Sequence, residues 1–373
     1  MRFYSVLLST AFTLALHSAA LAKPGKVGGE WTFASAETIE AGRAIPEKGV
    51  GQHDKIINGA MNKWLKHIAQ RCGQGCRIVG NKIHVGQDFW FELHNDPWVI
   101  EVTAEAKDSD DLRRRELAAK YQDMIWESAA EVGLRPHARV GGGHMHFDIE
   151  SHFGSNALLF RNFVVDLINH PELYMGILSL DYLNAPPLAI QKAEQRQALK
   201  ALLRRFDEGK MTIKEFKTAM NSEVYFSTYV TDMPHPRYYP DKYQVGNLKH
   251  AETIEIRGNR PQTSFEHYMR LVDLFEKRID YLAQFKTAIP YVEKDYSKLV
   301  AYKTVRSMEF YGTLVPVETI LSESKRFIEE TGLSWSRFVP VVAEEFKIRL
   351  KQEGKSHLLV AQPVRSCKAL FAR

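Results

Sequence analysis

Gly141–Glu150 reads GGGHMHFDIE. After three glycines the residues alternate: His144, His146, Asp148 and Glu150 are polar, while Met145, Phe147 and Ile149 are large and apolar. Successive side chains of a strand point to opposite faces, so residues two apart share one face. The stretch therefore predicts a strand over 144–150, entered through a Gly-Gly-Gly turn from another strand over 135–140. It sets two imidazoles side by side on the polar face and makes His144 and His146 candidates for a metal-dependent site.

Three further segments alternate in the same way. In Glu30-Trp31-Thr32-Phe33, Glu30 and Thr32 share a face against Trp31 and Phe33. In Val99–Thr103, Glu101 and Thr103 oppose Ile100 and Val102. In Thr253–Arg257, Glu255 and Arg257 oppose Ile254 and Ile256. One sheet accounts for all four, with its apolar face under helices and its polar face gathering Glu30, Glu101, His144, His146, Glu255 and Arg257. A solvated antiparallel face gives the same alternation and is the simpler reading of any single strand. A solvated face, however, usually mixes in Lys, Ser and Thr. Several carboxylates on one face repel each other unless cations sit among them, and carboxylates with one imidazole suit Mg²⁺ or Mn²⁺.

The rest of the chain supplies the covering layer. Ile57, Met61, Trp64, Leu65 and Ile68 recur at helical spacing within 53–71. Helices are predicted over 110–132, 156–169, 189–209, 212–220 and 264–285, with loop over 35–51. Short strands are predicted at 77–79, 82–85, 89–93 and 98–103, and extended chain at 242–248. The last 85 or so residues read mainly as helix, notably 317–331 and 334–352. Strands and helices do not alternate regularly. The expected class is α+β: an antiparallel or mixed sheet with a polar, concave active-site face, helices on its other face, and a helical C-terminal extension. The expected units are 1–22, 23–287 and 288–373.

Residues 1–22 run from a basic start through an apolar stretch to Ala20-Leu21-Ala22, followed by Lys23-Pro24-Gly25. That is the order of a secretory signal peptide. It predicts an exported protein, periplasmic or secreted, with no stable membrane insertion after cleavage, since no later stretch is apolar and long enough to span a bilayer. In such a compartment Cys72 and Cys76 would close a small disulfide across Gly73-Gln74-Gly75, the alternative being a metal pair. Fifty Lys and Arg stand against 45 Asp and Glu, with no long basic block, so nucleic acid is not an expected partner.

Taken together, these residues resemble the glutamine synthetase and glutamate–cysteine ligase superfamily, in its amidoligase-like branch. Gly143-His144-Met145-His146 looks like that superfamily's glycine-rich H-x-H strand. Thr253–Arg257, with Pro261, Ser264 and a long helix after it, resembles its Glu-x-Arg strand and helix. Lys242–Leu248 resembles the basic-aromatic-x-x-x-Asn run that precedes Glu-x-Arg, and 98–103 the strand with a Glu two residues before Ser or Thr. The resemblance covers roughly residues 28–285. It implies an enzyme that joins a carboxylate to an amine through an acyl phosphate, using ATP and Mg²⁺ or Mn²⁺. It implies Glu30, Glu101, His144 and Glu255 as metal ligands and Arg257 as the group that holds the phosphoryl. His146 would lie behind the ligands or touch substrate, and Asn247 would bind substrate or nucleotide. Thr32 stands where the family's first strand carries a second Glu, which removes one charged ligand.

Two other functions fit the same residues. His144-x-His146 with a nearby carboxylate could bind Zn²⁺ and activate water, as in an exported amidase or peptidase. A non-catalytic binding protein on the same fold is the other. Small molecules, peptides and cell-wall fragments are the expected substrate classes. His84, His94, His137 and His267 read as surface or packing histidines, and the Pro- and aromatic-rich run 233–240 as a loop beside a site or on the surface.

Overall fold

The computed structural model describes residues 25–44, 50–96, 98–137, 140–174, 178, 193–209, 211–225, 228–230, 237–239, 244–294, 300–305, 308–313 and 315–359. The 1–22 leader, residues 233–236 and 240, Lys242, Tyr243 and Cys367 lie outside them. Nine strands make the main sheet: β1 (Lys26–Phe33), β2 (Cys76–Val79), β3 (Lys82–Val85), β4 (Phe89–Asp96), β5 (Val99–Ala104), β6 (Lys107–Asp108), β7 (Gly143–Asp148), β10 (Gly246–Asn247) and β11 (Thr253–Ile256). Their order is β10-β11-β7-β1-β5-β4-β3-β2, with β6 beside the start of β1. Each pair is antiparallel. Two small hairpins, β8 (Thr228–Val230) with β9 (Arg237–Tyr239) and β12 (Val300–Val305) with β13 (Met308–Thr313), lie apart from it. The class is α+β.

The alternation read from the sequence decides which side is covered. Trp31 and Phe33 are 1% and 0% exposed. Phe33 meets Trp64 of the helix Val50–Cys72 at 5.1 Å between ring centres. Trp31 meets Trp126 at 4.9 Å and Tyr268 of the helix Phe265–Leu282 at 5.1 Å. The indole N–H groups of these neighbours are satisfied: Trp64 donates to Ser128 Oγ at 2.8 Å and Trp126 to the Gln262 carbonyl at 2.9 Å. Met145, Phe147, Ile254 and Ile256 enter the same buried cluster from the neighbouring strands.

The C-terminal helix Val317–Glu330 joins this core through Val317, Ile320, Phe327 and Ile328. Arg278 ties it down. Its guanidinium donates to Asp166 through Nε and Nη2, both at 2.7 Å, and to Glu330 through Nη1 at 2.7 Å. No described helix is long and apolar enough to cross a membrane. Cys72 and Cys76 are joined in a disulfide, with Cα atoms 5.5 Å apart.

Several expectations are corrected. Residues 35–51 are not all loop, because Ala36–Arg43 is a helix held by a capping box between Ser35 and Thr38. Among the described residues of the expected strand over 135–140, only Arg135 is paired, in a bridge with Ala34. The expected helix over 110–132 breaks at Arg114, whose extended backbone separates Ser109–Arg113 from Arg115–Tyr121, and a wider π turn covers Gln122–Glu127. Glu150 is not in the strand: β7 ends at Asp148, whose side chain accepts from Ser151 N and starts the helix Ile149–Phe153. The C-terminal part is not helix alone, since β12 and β13 form a hairpin in it.

Removing the indole of Trp31 would leave a cavity directly behind the polar face. Trp31→Ala is expected to destabilise the protein by about 3–5 kcal/mol, read as a lower urea midpoint in denaturation followed by circular dichroism.

Candidate metal centre

Residues directly opposite in an antiparallel pair share a face. Glu30 on β1 lies opposite His144 on β7, and Gly28 opposite His146. His146 lies opposite Glu255 on β11, and Glu255 opposite Asn247 on β10. On the other flank Thr103 of β5 faces Glu30, and Glu101 faces Thr32. The register alone brings residues more than a hundred positions apart onto one polar surface.

The side chains then converge. The two oxygens of Glu30 take one histidine each: Oε2 is 2.9 Å from His144 Nδ1 and Oε1 is 3.0 Å from His146 Nε2. His144 Nδ1 is also 3.2 Å from Glu255 Oε1. Glu255 is 1% exposed and its carboxylate is closely held. Asn247 Nδ2 donates to Oε2 at 2.6 Å, His250 Nε2 lies 3.0 Å from Oε2, and Arg257 Nη1 donates to Oε1 at 2.5 Å. Donor atoms of Glu30, His144 and Glu255 all fall within 4.8 Å of one another, as do those of His146, His250 and Glu255.

The turn before β7 shapes the floor. Gly141 has φ +76°, and a Cβ there would lie 2.1 Å from Thr32 Oγ1. A Cβ on Gly142 would lie 2.6 Å from His144 Nε2. Thr32, buried and uncharged, donates to the Gly142 carbonyl at 2.9 Å. It fastens the turn to β1 and brings no charge to the face it shares with Glu30.

Charge follows position. Burial opposes ionisation of Glu30, but hydrogen bonds to His144 and His146 outweigh it and hold its carboxyl well below the usual range. Burial likewise disfavours the Glu255 anion, yet the His250 hydrogen bond and the charges of His144, Arg257 and His146 lower it to about 2. His146 is shifted upward: burial opposes its charge, and the Glu30 hydrogen bond and the Glu30 and Glu255 carboxylates more than compensate. Glu101 goes the other way. Burial first, then Glu30 and Asp96, push it up to about 8.

Of the four expected ligands, three come together. Glu101 shares the face, but among the described residues it belongs to no group of three donors within the same reach. It is a half-buried acid on the same face as the trio. Asn247 is 2% exposed, and its amide is engaged at both ends, by Glu255 and by Lys249 N at 3.1 Å. Its amide nitrogen thereby helps to fix the orientation of the Glu255 carboxylate. His144 and His146 fall in different trios. Sequence reading missed His250 altogether. Its only signal was its place five residues before Glu255, on the turn between two short strands.

No protein-family model matches the chain, and no curated protein matches it. Solved structures do show likeness. The apo form of GmaS is 12% identical with a TM-score of 0.39, covering 95% of this chain and 74% of that one. A GmaS/ADP complex is 13% identical with a TM-score of 0.40, covering 94% and 73%. The complex between prokaryotic ubiquitin-like protein Pup and its ligase PafA is 8% identical with a TM-score of 0.27, covering 91% and 68%. Likeness at this level assigns no activity to the chain.

The Glu101 shift sets a pH dependence for the metal-free protein. Its folded value lies above its unfolded one, so the unfolded chain ionises first. Stability falls as pH rises from the ordinary glutamate range towards about 8. Glu101→Gln is expected to melt above wild type at about pH 8 and level with it at about pH 4, in thermal denaturation with chelator present.

Proposed function

We propose that the chain is an exported, metal-dependent enzyme that joins a carboxylate to an amine at the expense of ATP. The observation that supports this most is the convergence of Glu30, His144 and Glu255 from three adjacent strands, with Arg257 on the same carboxylate. Two carboxylates and one imidazole fit Mg²⁺ or Mn²⁺. Such an ion, when bound, offsets charge on phosphoryl oxygens and makes the phosphorus more open to attack.

The residues divide the work as follows. Glu30, His144 and Glu255 hold the ion. Asn247 fixes the orientation of Glu255. Arg257 lies beside the ion site, where its planar donors suit the oxygens of a transferring phosphoryl group. A carboxylate oxygen of the substrate attacks the terminal phosphorus of ATP, and the bond to ADP breaks. The amine nitrogen then attacks the acyl carbon of the resulting acyl phosphate. The carbon–oxygen bond to phosphate breaks and the nitrogen gives up a proton. Charges and dipoles already fixed by the sheet need little reorganisation as charge moves onto the phosphoryl group. His146, held between Glu30 and Thr253, would order the floor beneath the substrate. A free amino acid, a peptide or a cell-wall fragment would supply the carboxylate or the amine, with no nucleic acid or membrane partner.

Calorimetric titration of the purified protein with Mg-ATP tests the reading. Wild type is expected to bind, Glu255→Gln to lose binding, and Arg257→Ala to weaken it by about 10- to 100-fold. No binding by wild type with any divalent metal overturns the ligase reading and favours amide hydrolysis in the same basin.

A further inference from the structure

The second trio, His146, His250 and Glu255, has a donor set unlike the first. It offers two imidazoles and one carboxylate, with donor atoms within 4.8 Å of one another. The two rings sit 4.9 Å apart between centroids, inclined by 78°. Mg²⁺ prefers oxygen donors and gives up its water reluctantly, whereas imidazole suits zinc, iron and their neighbours. Two imidazoles and one carboxylate are also a sufficient set for a catalytic zinc ion, which keeps its fourth position open.

The surroundings favour a ligand role over a merely packed loop. His146 Nδ1 lies 3.3 Å from Thr253 Oγ1. When that hydroxyl accepts the Nδ1 proton, Nε2, which lies 3.0 Å from Glu30 Oε1, is the nitrogen left for a cation, as in histidines oriented for metal binding. Glu255 is fixed by Asn247 before any ion arrives. The third ligand is accessible: the His250 side chain is 47% exposed, so an ion has a way in. No strand register forces His250 towards Glu255, because it stands on the turn between β10 and β11.

We propose that His146, His250 and Glu255 form a site for a divalent transition cation, with zinc as the reference ion. It adjoins the Glu30–His144–Glu255 site and shares Glu255 with it. This site needs no nucleotide and does not depend on the ligase reading.

The test uses the full chain, stripped with chelator and titrated with Co²⁺ in millimolar Mg²⁺, following the visible d–d absorption. Wild type is expected to develop a band that zinc displaces. His144→Ala is expected to keep it. His250→Ala, checked for folding by circular dichroism, is expected to bind Co²⁺ at least about tenfold more weakly. No band in wild type, or equal Co²⁺ affinity in His250→Ala and wild type, overturns the proposal. Failure of Mg-ATP binding would leave this titration unchanged, so the two readings fail separately.

Discussion

Glu30 holds two histidines at once, one with each carboxylate oxygen, and the polar face is organised around that clasp. It works because β1 lies between β7 and β5 in the sheet. A shift of β1 by one residue would turn Glu30 towards the tryptophans and Trp31 into the basin. The register is therefore fixed from both sides. Trp31 and Phe33 are locked among the rings of the helices, and Glu30 is locked among charged partners. Neither half is sufficient alone, since burial disfavours a carboxylate that lacks such partners, the effect that comes first in the upward shift of Glu101.

The same contrast explains why two acids on one sheet behave so differently. Glu30 and Glu255 each have imidazole partners, and Glu255 also has a guanidinium and an amide. Their ionised forms are favoured in spite of burial. Glu101 has Thr32 opposite it and carboxylates nearby.

Much of this was legible in the sequence, because period-two alternation reports directly on faces. It placed Glu30, Glu101, His144, His146, Glu255 and Arg257 on one surface and Trp31, Phe33, Met145 and Phe147 on the other. It could not say how far each side chain reaches across that surface, and so it did not separate Glu30, which joins a trio, from Glu101, which joins none among the described residues. It was also silent about turns. His250 lies between strands, where no period operates and tertiary contacts fix the position. The hydrogen bond from Asn247 to Glu255, only eight residues on, was likewise not legible from the pattern. The helix Ala36–Arg43 was concealed by the polar residues around it, and the β12–β13 hairpin by the helical pattern that follows.

Glu255 belongs to both trios, and this makes the basin a single electrical unit. A cation seated on either trio polarises the carboxylate that the other one needs and repels a second cation. By reciprocity, whatever occupancy of one trio does to affinity at the other holds equally in reverse. Metal loading would therefore be graded rather than independent, and the order in which ions arrive would not alter the total free energy of filling. A single buried side chain, oriented by Asn247, thus sets the communication between two places on one sheet.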